Sequence, residues 1–530
     1  MTRQKIVDLI EKAIKLAQKE KKLSFFKLPE ILVEHPEEKF YGDYATNIAL
    51  QVAKITKKEP MEIANLIKSE VESLNSKIFE KIEVAKPGFI NFSLSKEYLQ
   101  SQVKEILEQE KKFGDLKIGK KIKTNVEFIS ANPTGLLHIG NGRGAFFGDC
   151  LSNVLKKAGY EVIREYYVND ARNSLQIQEL GKTALGRGRT YLTEYLRLKI
   201  KNLKSKLEKI SDEGEAGFLL AQEIQKNIKN SIEKKLKIEF DVWISEEKSY
   251  QKKKIGEILD WLKKKKFVYQ KEEAQWLKTS KFGEPRDWVI VRTSREPTYL
   301  LSDIAYHKDK IERGFKKIID IWGADHQAHV SKMKAAMKIL GFKGNFDVLI
   351  TQMVSLKKGK ISKRKGEIIT LKSLIDEVGL DAARFFYLMK SLNTQMEFDV
   401  ELAKEKSAKS PVYYVQYAQA RICSILKKVS SFKFQVSGFK LLNHPSELDL
   451  IKQLIRFPEI IEDSAKDYQL QRIPQYAVDL AAAFHQFYRD CKVLIEDKEL
   501  RKARLGLISA SKTVLKNTLN LMGISAPERM

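Results

Sequence analysis

Cysteine is scarce in this chain, which has only three among 530 residues. Cys150, Cys423 and Cys491 are widely separated and form no Cys-x-x-Cys pair. This usage indicates a reducing cytosol, and it argues against a structural zinc site.

Long apolar runs are also lacking, because no stretch of 18 or more apolar residues occurs. The first 22 residues carry acidic side chains within an amphipathic helical pattern. We therefore expect neither a transmembrane segment nor a secretory signal, and we expect a cytoplasmic protein.

Acidic residues are few relative to basic ones: 69 Asp and Glu stand against 96 Lys and Arg, a formal net charge of +27. Residues 1–110 are neutral and residues 401–530 carry +7, so the segment between them carries +20. A polyanionic partner, nucleic acid first, is the natural inference. Solvated lysine-rich helices explain part of the excess, but a uniform lysine bias would not concentrate the charge in the middle of the chain.

The chain is longer than a single hydrophobic core usually is, and its periodicity changes along its length. Residues 1–115 mix helical and strand patterns, which predicts an α+β domain. Residues 116–395 predict a Rossmann-like, doubly wound α/β domain. Its buried strands are expected near 123–129, 318–322 and 346–351, with helical stretches between them.

Two further segments complete the predicted architecture. A lysine-rich helical insertion is expected at about 172–292, ending in a β-rich stretch. Its basic runs Lys252–Lys254 and Lys263–Lys266 are candidates for nucleic-acid contact, although such runs more often form a solvated helix face. Residues 396–530 show only helical periodicity, which predicts an α-helical bundle.

One candidate phosphate-binding element is the segment His138-Ile139-Gly140-Asn141. It lies between the strand pattern at 123–129 and a glycine-containing helical stretch at 142–157. A strand, loop and helix in this order present backbone N–H groups and a positive helix terminus to a polyanion. His138 and Asn141 can each donate a hydrogen bond to phosphate oxygens.

A second such element lies some 220 residues later, where Lys360 and Lys363 flank Ser362 in a glycine-flanked loop. Two ammonium groups at this spacing suit the charge that develops when pyrophosphate leaves a nucleotide. Two phosphate-handling elements so far apart imply a single ATP site that is closed by folding.

The two elements resemble the HIGH and KMSKS signatures of class I aminoacyl-tRNA synthetases. Their surroundings are specifically similar to arginyl-tRNA synthetases, in the segments FISANPTGLLHIGNGRG, YLLSDIAYH, WGADHQAH and MGISAPERM. The resemblance extends over nearly the whole chain. It departs from the family pattern where Asn141 replaces the second His, Ile361 the Met and Arg364 the last Ser.

The resemblance implies an arginine-tRNA ligase, which forms arginyl-adenylate and transfers arginine to the 2′-OH of the terminal adenosine of tRNA(Arg). ATP would enter as Mg-ATP, with no tightly bound cofactor, no bound metal site and a monomeric enzyme. The catalytic residues would be His138, Asn141, Lys360 and Lys363. The ATP-binding residues would be Gly140, Gly142, Met353, Ser362 and Lys363.

The cationic fork of arginine requires paired carboxylates. By resemblance, Asp303 with Tyr299 would bind the guanidinium group, and Glu127 and Asn132 would bind the amino and carboxylate end. Asp325 would face either part of the pocket. An ordinary ion pair with a neighbouring Lys or Arg is the alternative role of each acid.

The anticodon would bind to the helical bundle, because GLDAAR at 379–384 resembles the DALR signature of arginyl- and cysteinyl-tRNA synthetases. Tyr413, Tyr417 and Arg421 can stack on and pair with unstacked bases, although a core position is equally expected for at least two tyrosines of this stretch.

Two other readings stay open at this point. A cysteinyl-tRNA synthetase would share the bundle, but it would be expected to show a zinc cluster that the cysteine positions do not provide. A catalytically silent tRNA-binding paralogue is disfavoured because His138 and both loop lysines are present.

Overall fold

The computed structural model describes residues 1–74, 76–249, 252–357, 369–429 and 438–530. The first region is α+β, as predicted. It contains α1 (Thr2–Lys19), β1 (Tyr44–Thr46), α2 (Ile48–Thr56), α3 (Pro60–Ser73), β2 (Phe79–Ala85), β3 (Phe89–Leu94) and α4 (Lys96–Gln109). The three strands form an antiparallel sheet in the order β1-β3-β2.

The central region alternates strands and helices. Its first half contains β4 (Lys123–Glu127), α5 (Ile139–Lys157), β5 (Glu161–Val168), α6 (Leu175–Ala184), α7 (Glu194–Asn202), α8 (Lys204–Leu207), α9 (Glu213–Asn230), β6 (Val242–Ser245), α10 (Glu246–Ser249) and α11 (Lys252–Lys264). Its second half contains β7 (Val268–Lys271), β8 (Ala274–Leu277), β9 (Trp288–Val291), α12 (Tyr299–Glu312), β10 (Lys317–Gly323), α13 (Val330–Ile339), β11 (Asn345–Thr351), β12 (Val354–Leu356), α14 (Leu371–Val378), α15 (Leu380–Leu388) and β13 (Met396–Phe398).

Five of these strands form one parallel sheet in the order β11-β10-β4-β5-β6. The order reverses between β4 and β10, so the prediction of a doubly wound Rossmann-like sheet is confirmed. Ligands of such sheets bind beyond the carboxyl ends of the strands, at the point of reversal. Glu127 and Asp320 are paired in register at that point.

The insertion, predicted as a helical segment with a β-rich end, contains one further strand that the sequence did not predict. Strand β6 lies within it and joins the edge of the main sheet, where Glu165 pairs with Val242. Four residues are too few to give a readable alternation of side chains, which explains why the sequence pattern did not reveal this strand. The predicted β-rich end of the insertion is present as β9, in an antiparallel sheet with β7 and β8.

The last region is helical, as predicted. It contains α16 (Val400–Lys404), α17 (Pro411–Lys427), α18 (Pro445–Ile455), α19 (Phe457–Asp467), α20 (Arg472–Asp490) and α21 (Lys498–Leu521). The helical periodicity over 448–468 corresponds to two helices, because Pro458 in the first turn of α19 cannot continue the helix before it. No helix within the described ranges is long and apolar enough to cross a membrane.

The first and last regions contact each other directly. Glu459 on α19 is 1% exposed and accepts hydrogen bonds from the Tyr44 hydroxyl at 2.9 Å and from the Arg3 N–H at 3.0 Å. His35 Nε2 lies 2.9 Å from the other carboxylate oxygen of Glu459. Because an unpartnered buried carboxylate would be costly, these contacts hold the two regions in one arrangement.

Candidate active site

The first signature lies at the start of α5, directly beyond the carboxyl end of β4. His138 caps the helix: its Nδ1 accepts a hydrogen bond from the Gly140 N–H at 3.1 Å. Burial lowers the pKa of His138, so its ring is neutral at pH 7. Since Nδ1 is the acceptor, the ring proton lies on Nε2, which can donate to a phosphate oxygen.

Asn141 completes the cap, because its Oδ1 accepts a hydrogen bond from the His138 N–H at 2.9 Å. Its amide nitrogen is the group that can donate to a ligand, so its predicted phosphate contact stays a prediction. A Cβ atom on Gly142 would lie 2.9 Å from Leu371 and from the Tyr387 ring. Glycine at this position therefore allows α14 and α15 to pack closely on α5. The predicted ATP contacts of Gly140 and Gly142 stay predictions.

Lys360, Ser362 and Lys363 lie outside the described residues, but the sequence on both sides of them is placed. After the signature, Ile369 O accepts a hydrogen bond from the Ile139 N–H at 3.1 Å, and the Leu371 N–H donates to Leu137 O at 2.8 Å. The segment that follows the second signature therefore pairs with the first signature, as a single site closed by folding requires.

The segment before the second signature is also tied to α5. Strand β12 pairs with β13, and Arg143 on α5 donates through Nη2 to Ser391 O and, at 2.7 Å, to Thr394 O just before β13. Arg143 is buried, and its guanidinium group donates to several carbonyl oxygens and to the Met396 sulfur. Met353 precedes β12 and is 70% exposed, which leaves it accessible for its predicted ATP contact.

The predicted guanidinium-binding residues lie on adjacent turns at the start of α12. The Tyr299 hydroxyl donates to Gln176 Oε1 at 2.7 Å, and the residue is about half exposed. Asp303 Oδ2 lies 2.7 Å from His329 Nε2, with part of the carboxylate open to solvent. Both side chains are therefore accessible to a ligand on the same face of the helix.

Glu246 is a fourth acid of this pocket that the sequence analysis did not identify. Burial, together with the charges of Asp303, Asp170 and Glu247, raises the pKa of Glu246 to about 8. Two carboxylates that repel each other in a half-buried setting suit a guanidinium group, because its fork of N–H donors can pair with both. The sequence does not show that Glu246 lies near Asp303, because Glu246 follows β6 and its neighbours depend on the position of that strand in the sheet.

Glu127 ends β4 at the reversal of the sheet, and its carboxylate is almost fully buried. Its Oε2 accepts hydrogen bonds from Lys310 Nζ at 2.7 Å and from the Tyr306 hydroxyl at 2.8 Å, and Oε1 accepts one from Ser130 Oγ at 3.0 Å. Burial raises the pKa of Glu127, and the attraction of Lys310 opposes this rise. One acceptor position on Oε1 is left for a substrate ammonium group.

The loop after β4 carries Asn132, which is exposed. The Asn132 carbonyl oxygen accepts a hydrogen bond from the Thr134 N–H, which turns the chain. Ile129 has φ of 69°, an uncommon conformation for a β-branched residue. Such strain persists only where surrounding contacts hold it, and it occurs most often at functional sites. The Asn169 amide provides one such contact by donating to Ser130 O at 2.8 Å.

Asp325 lies at the edge of this site, in a 3₁₀ turn that follows β10. Its side chain is 81% exposed, and one of its carboxylate oxygens lies 3.5 Å from His326 Nε2. Asp325 follows the strand next to β4. Its contact with arginine stays a prediction.

The three residues predicted to bind the anticodon lie together on α17. The rings of Tyr413 and Tyr417 are stacked with centroids 6.2 Å apart, and Arg421 Nη1 donates to the Tyr417 hydroxyl at 3.2 Å. Two residues of α20, which the sequence analysis did not identify, extend this surface. Tyr488 lies under the Arg421 guanidinium at 4.8 Å, and the His485 ring stacks on Tyr417 at 5.9 Å.

The three cysteines are buried and free. Among the residues that the structure describes, no group of three or more His, Cys, Asp or Glu side chains could hold a metal ion.

Comparison with known proteins assigns this arrangement to a family. The model described as "Arginyl tRNA synthetase N terminal domain" matches residues 4–94. The model described as "tRNA synthetases class I (R), catalytic domain" matches residues 102–183 and 188–424. The model described as "DALR anticodon binding domain" matches residues 415–530.

Individual relatives agree with these matches. The chain is 41% identical to an arginine--tRNA ligase of Dehalococcoides mccartyi, over 99% of this chain and 98% of the relative. It is 42% identical to one of Caldanaerobacter subterraneus, over 100% and 99%. The arginyl-tRNA synthetase structure of Thermus thermophilus shares the fold at 22% identity, with a TM-score of 0.79 over the whole of both chains. With full-length identity above 40% and family matches from residue 4 to residue 530, the chain belongs to the arginyl-tRNA synthetases of class I.

Proposed function

We propose that this chain attaches L-arginine to tRNA(Arg) in two steps, with Mg-ATP as a substrate and no tightly bound cofactor. The observation that carries the proposal is the pair of interacting carboxylates, Glu246 and Asp303, in a pocket that shares one sheet edge with the signature helix α5. A guanidinium group can donate hydrogen bonds to both carboxylates, whereas a neutral side chain would bring no charge to compensate Asp303 or to favour the ionised form of Glu246.

In the first step, an oxygen of the arginine carboxylate attacks the α-phosphorus of ATP. The bond to the bridging oxygen of the β-phosphate breaks, and pyrophosphate leaves with the electron pair. His138 donates from Nε2 to a phosphate oxygen, and the N–H groups at the start of α5 face the polyanion. Lys360 and Lys363 balance the charge that moves onto pyrophosphate.

In the proposed complex, arginine is bound at both of its ends. Asp303, Glu246 and Tyr299 bind the guanidinium group, and Glu127 and Asn132 bind the amino and carboxylate end. In the second step the 2′-OH of the terminal adenosine attacks the adenylate carbonyl, loses its proton and displaces AMP. The enzyme acts mainly by positioning and by charge compensation.

The tRNA is proposed to contact all three regions. Residues 1–115 contact its outer corner, residues 116–395 hold the acceptor end, and residues 396–530 bind the anticodon. The surface formed by Tyr413, Tyr417 and Arg421 supports the last assignment, because stacked rings and a guanidinium plane suit unstacked bases. The enzyme is proposed to act as a monomer in the cytoplasm.

Arginine-dependent exchange of labelled pyrophosphate into ATP, with tRNA present, tests the proposal. Exchange with arginine and none with cysteine is the expected result. Exchange with cysteine instead would indicate the cysteinyl reading. Binding of tRNA with no exchange for any amino acid would indicate a catalytically silent protein.

A further inference from the structure

Helix α12 carries a buried lysine that the proposed reaction does not use. Lys310 Nζ lies 2.7 Å from Glu127 Oε2 and 2.8 Å from Asp320 Oδ1, and its side chain is 0% exposed. Resting on the proposed function, we infer that Lys310 is a positioning residue: it keeps Glu127 ionised and correctly oriented, so that the pocket recognises the α-ammonium group of arginine.

The position of Lys310 follows from the sheet. Glu127 and Asp320 are opposite each other on the adjacent strands β4 and β10, so two carboxylates meet beneath the substrate crevice. Without a cation between them, one would take up a proton to relieve the repulsion. Lys310 reaches this place from about three turns into α12, and the same helix carries Asp303 about one turn from its start.

The other groups around Glu127 do not replace the positive charge of Lys310. Tyr306 donates one hydroxyl proton, yet its oxygen lies 2.8 Å from Glu127 and 2.6 Å from Glu165 Oε1. Because one proton serves one of these acceptors at a time, Tyr306 cannot by itself hold both carboxylates ionised. Arg313 pairs with Glu165, which leaves Lys310 as the cation in contact with Glu127 among the residues described here.

The network also reaches the guanidinium end of the pocket. His307 Nε2 lies 2.8 Å from Asp320 Oδ2, and His307 Nδ1 lies 2.8 Å from the carbonyl oxygen of Asp303. A carbonyl can only accept, so Nδ1 carries a proton and donates it. Lys310 and His307 therefore share Asp320 as a common anchor. One helix positions the residue that binds the guanidinium group and the cation that supports Glu127.

The consequence of losing Lys310 depends on every group that faces Glu127. These groups are Lys310 and Tyr306 from α12, Asp320 from β10, Glu165 from β5 and Ser130 from the following loop. Apart from Lys310, each is neutral or negative in this arrangement. Removal of Lys310 therefore favours the protonated form of Glu127, which cannot balance an ammonium group.

The test compares two ligands that differ by one group. L-arginine and 5-guanidinopentanoate share the guanidinium and carboxylate groups, but the second lacks the α-amino group. Calorimetry would give the ratio of their affinities for the full-length protein. We expect Lys310→Met to reduce this ratio about 10- to 100-fold, mainly by weakening arginine, while the binding of 5-guanidinopentanoate and ATP changes little.

The pH profile separates this role from a purely structural one. Between about pH 6.5 and about pH 8.5, the ratio for the wild-type protein should be nearly flat. In Lys310→Met the ratio should rise with pH, because deprotonation of Glu127 restores the charge that attracts the ammonium group. Lys310→Arg should retain the wild-type ratio. Lys308→Met is the matched control, since Lys308 lies on the exposed face of the same helix and pairs with Glu312.

The outcomes are distinct. If Glu127→Gln loses the preference for arginine but folded Lys310→Met keeps it, the inference is wrong and the proposed pocket stands. If Glu127→Gln also keeps it, both Glu127 and Lys310 are removed from amino-group recognition. If the wild-type protein binds neither ligand, the proposed function itself fails. If Lys310→Met does not fold, Lys310→Gln replaces it, because its amide can donate to both carboxylates without carrying a charge. The ratio of the affinities for arginine and 5-guanidinopentanoate is then measured in Lys310→Gln, and an unchanged ratio would contradict the inference.

Discussion

The two ends of the proposed active site handle charge in opposite ways. At the phosphate end, a neutral His138 and the start of α5 present hydrogen-bond donors, and the proposed cations, Lys360 and Lys363, lie in one short segment of the sequence. At the amino-acid end, the carboxylates come from distant elements: Lys310 lies between Glu127 and Asp320, and the charge of Asp303 contributes to the raised pKa of Glu246. The proposed anion site thus draws on two short signature segments, whereas the proposed cation site depends on residues spread over the whole sheet.

The largest effect is expected at the phosphate end. Lys363→Ala should lower the rate of arginyl-adenylate formation roughly 10²- to 10³-fold, because charge accumulates on pyrophosphate only as the bond breaks. Arginine binding should barely change. Single-turnover measurement with saturating tRNA gives this rate. Lys357→Ala is the control, since Lys357 lies outside the signature and pairs with Asp399 at 2.9 Å. Equal, severalfold losses in both variants would show that the segment acts only as an electrostatic patch.

The next effect concerns the guanidinium group. Asp303→Asn should weaken the binding of arginine by roughly 2–3 kcal/mol, about 30- to 150-fold in affinity, and should leave ATP binding unchanged. Asp325→Asn is the comparison, because Asp325 is the more exposed of the two acids. For each variant, the Michaelis constants for arginine and for ATP are measured in the exchange reaction. A larger loss in Asp325→Asn than in Asp303→Asn would move the recognition site to the end of β10.

The smallest of the three effects is a pH dependence. Because the pKa of Glu246 is raised to about 8, this carboxyl is largely protonated below that pH and must lose its proton when a guanidinium group binds. The affinity for arginine should therefore increase roughly tenfold from about pH 6.5 to about pH 8 and then level off. Calorimetry in buffers of different ionisation enthalpy should detect proton release. Glu246→Gln should abolish both signals, and a wild-type affinity that falls with rising pH would contradict the assignment.

The same contrast explains which features the sequence could predict. The strand and helix that flank the first signature were predicted because they are contiguous in sequence, and β4 and α5 lie close to the expected bounds. The strands β10 and β11 were predicted because buried parallel strands give continuous apolar runs. Glu246 was missed because its place depends on β6, whose position at the sheet edge is a long-range property. The contact of Lys310 with two strands is of the same kind, and local periodicity does not encode it.

The contact between the first and last regions has a consequence for synthesis of the chain. Tyr44 and Glu459 are 415 residues apart in sequence. At about 5–20 residues per second, a ribosome needs roughly 20–85 s to produce the second after the first. During that interval the Tyr44 hydroxyl and the Arg3 backbone lack their partner on α19. The emerging first region therefore waits with an open docking surface, and a pause in translation before α19 would lengthen the time during which chaperones or other nascent chains can reach it.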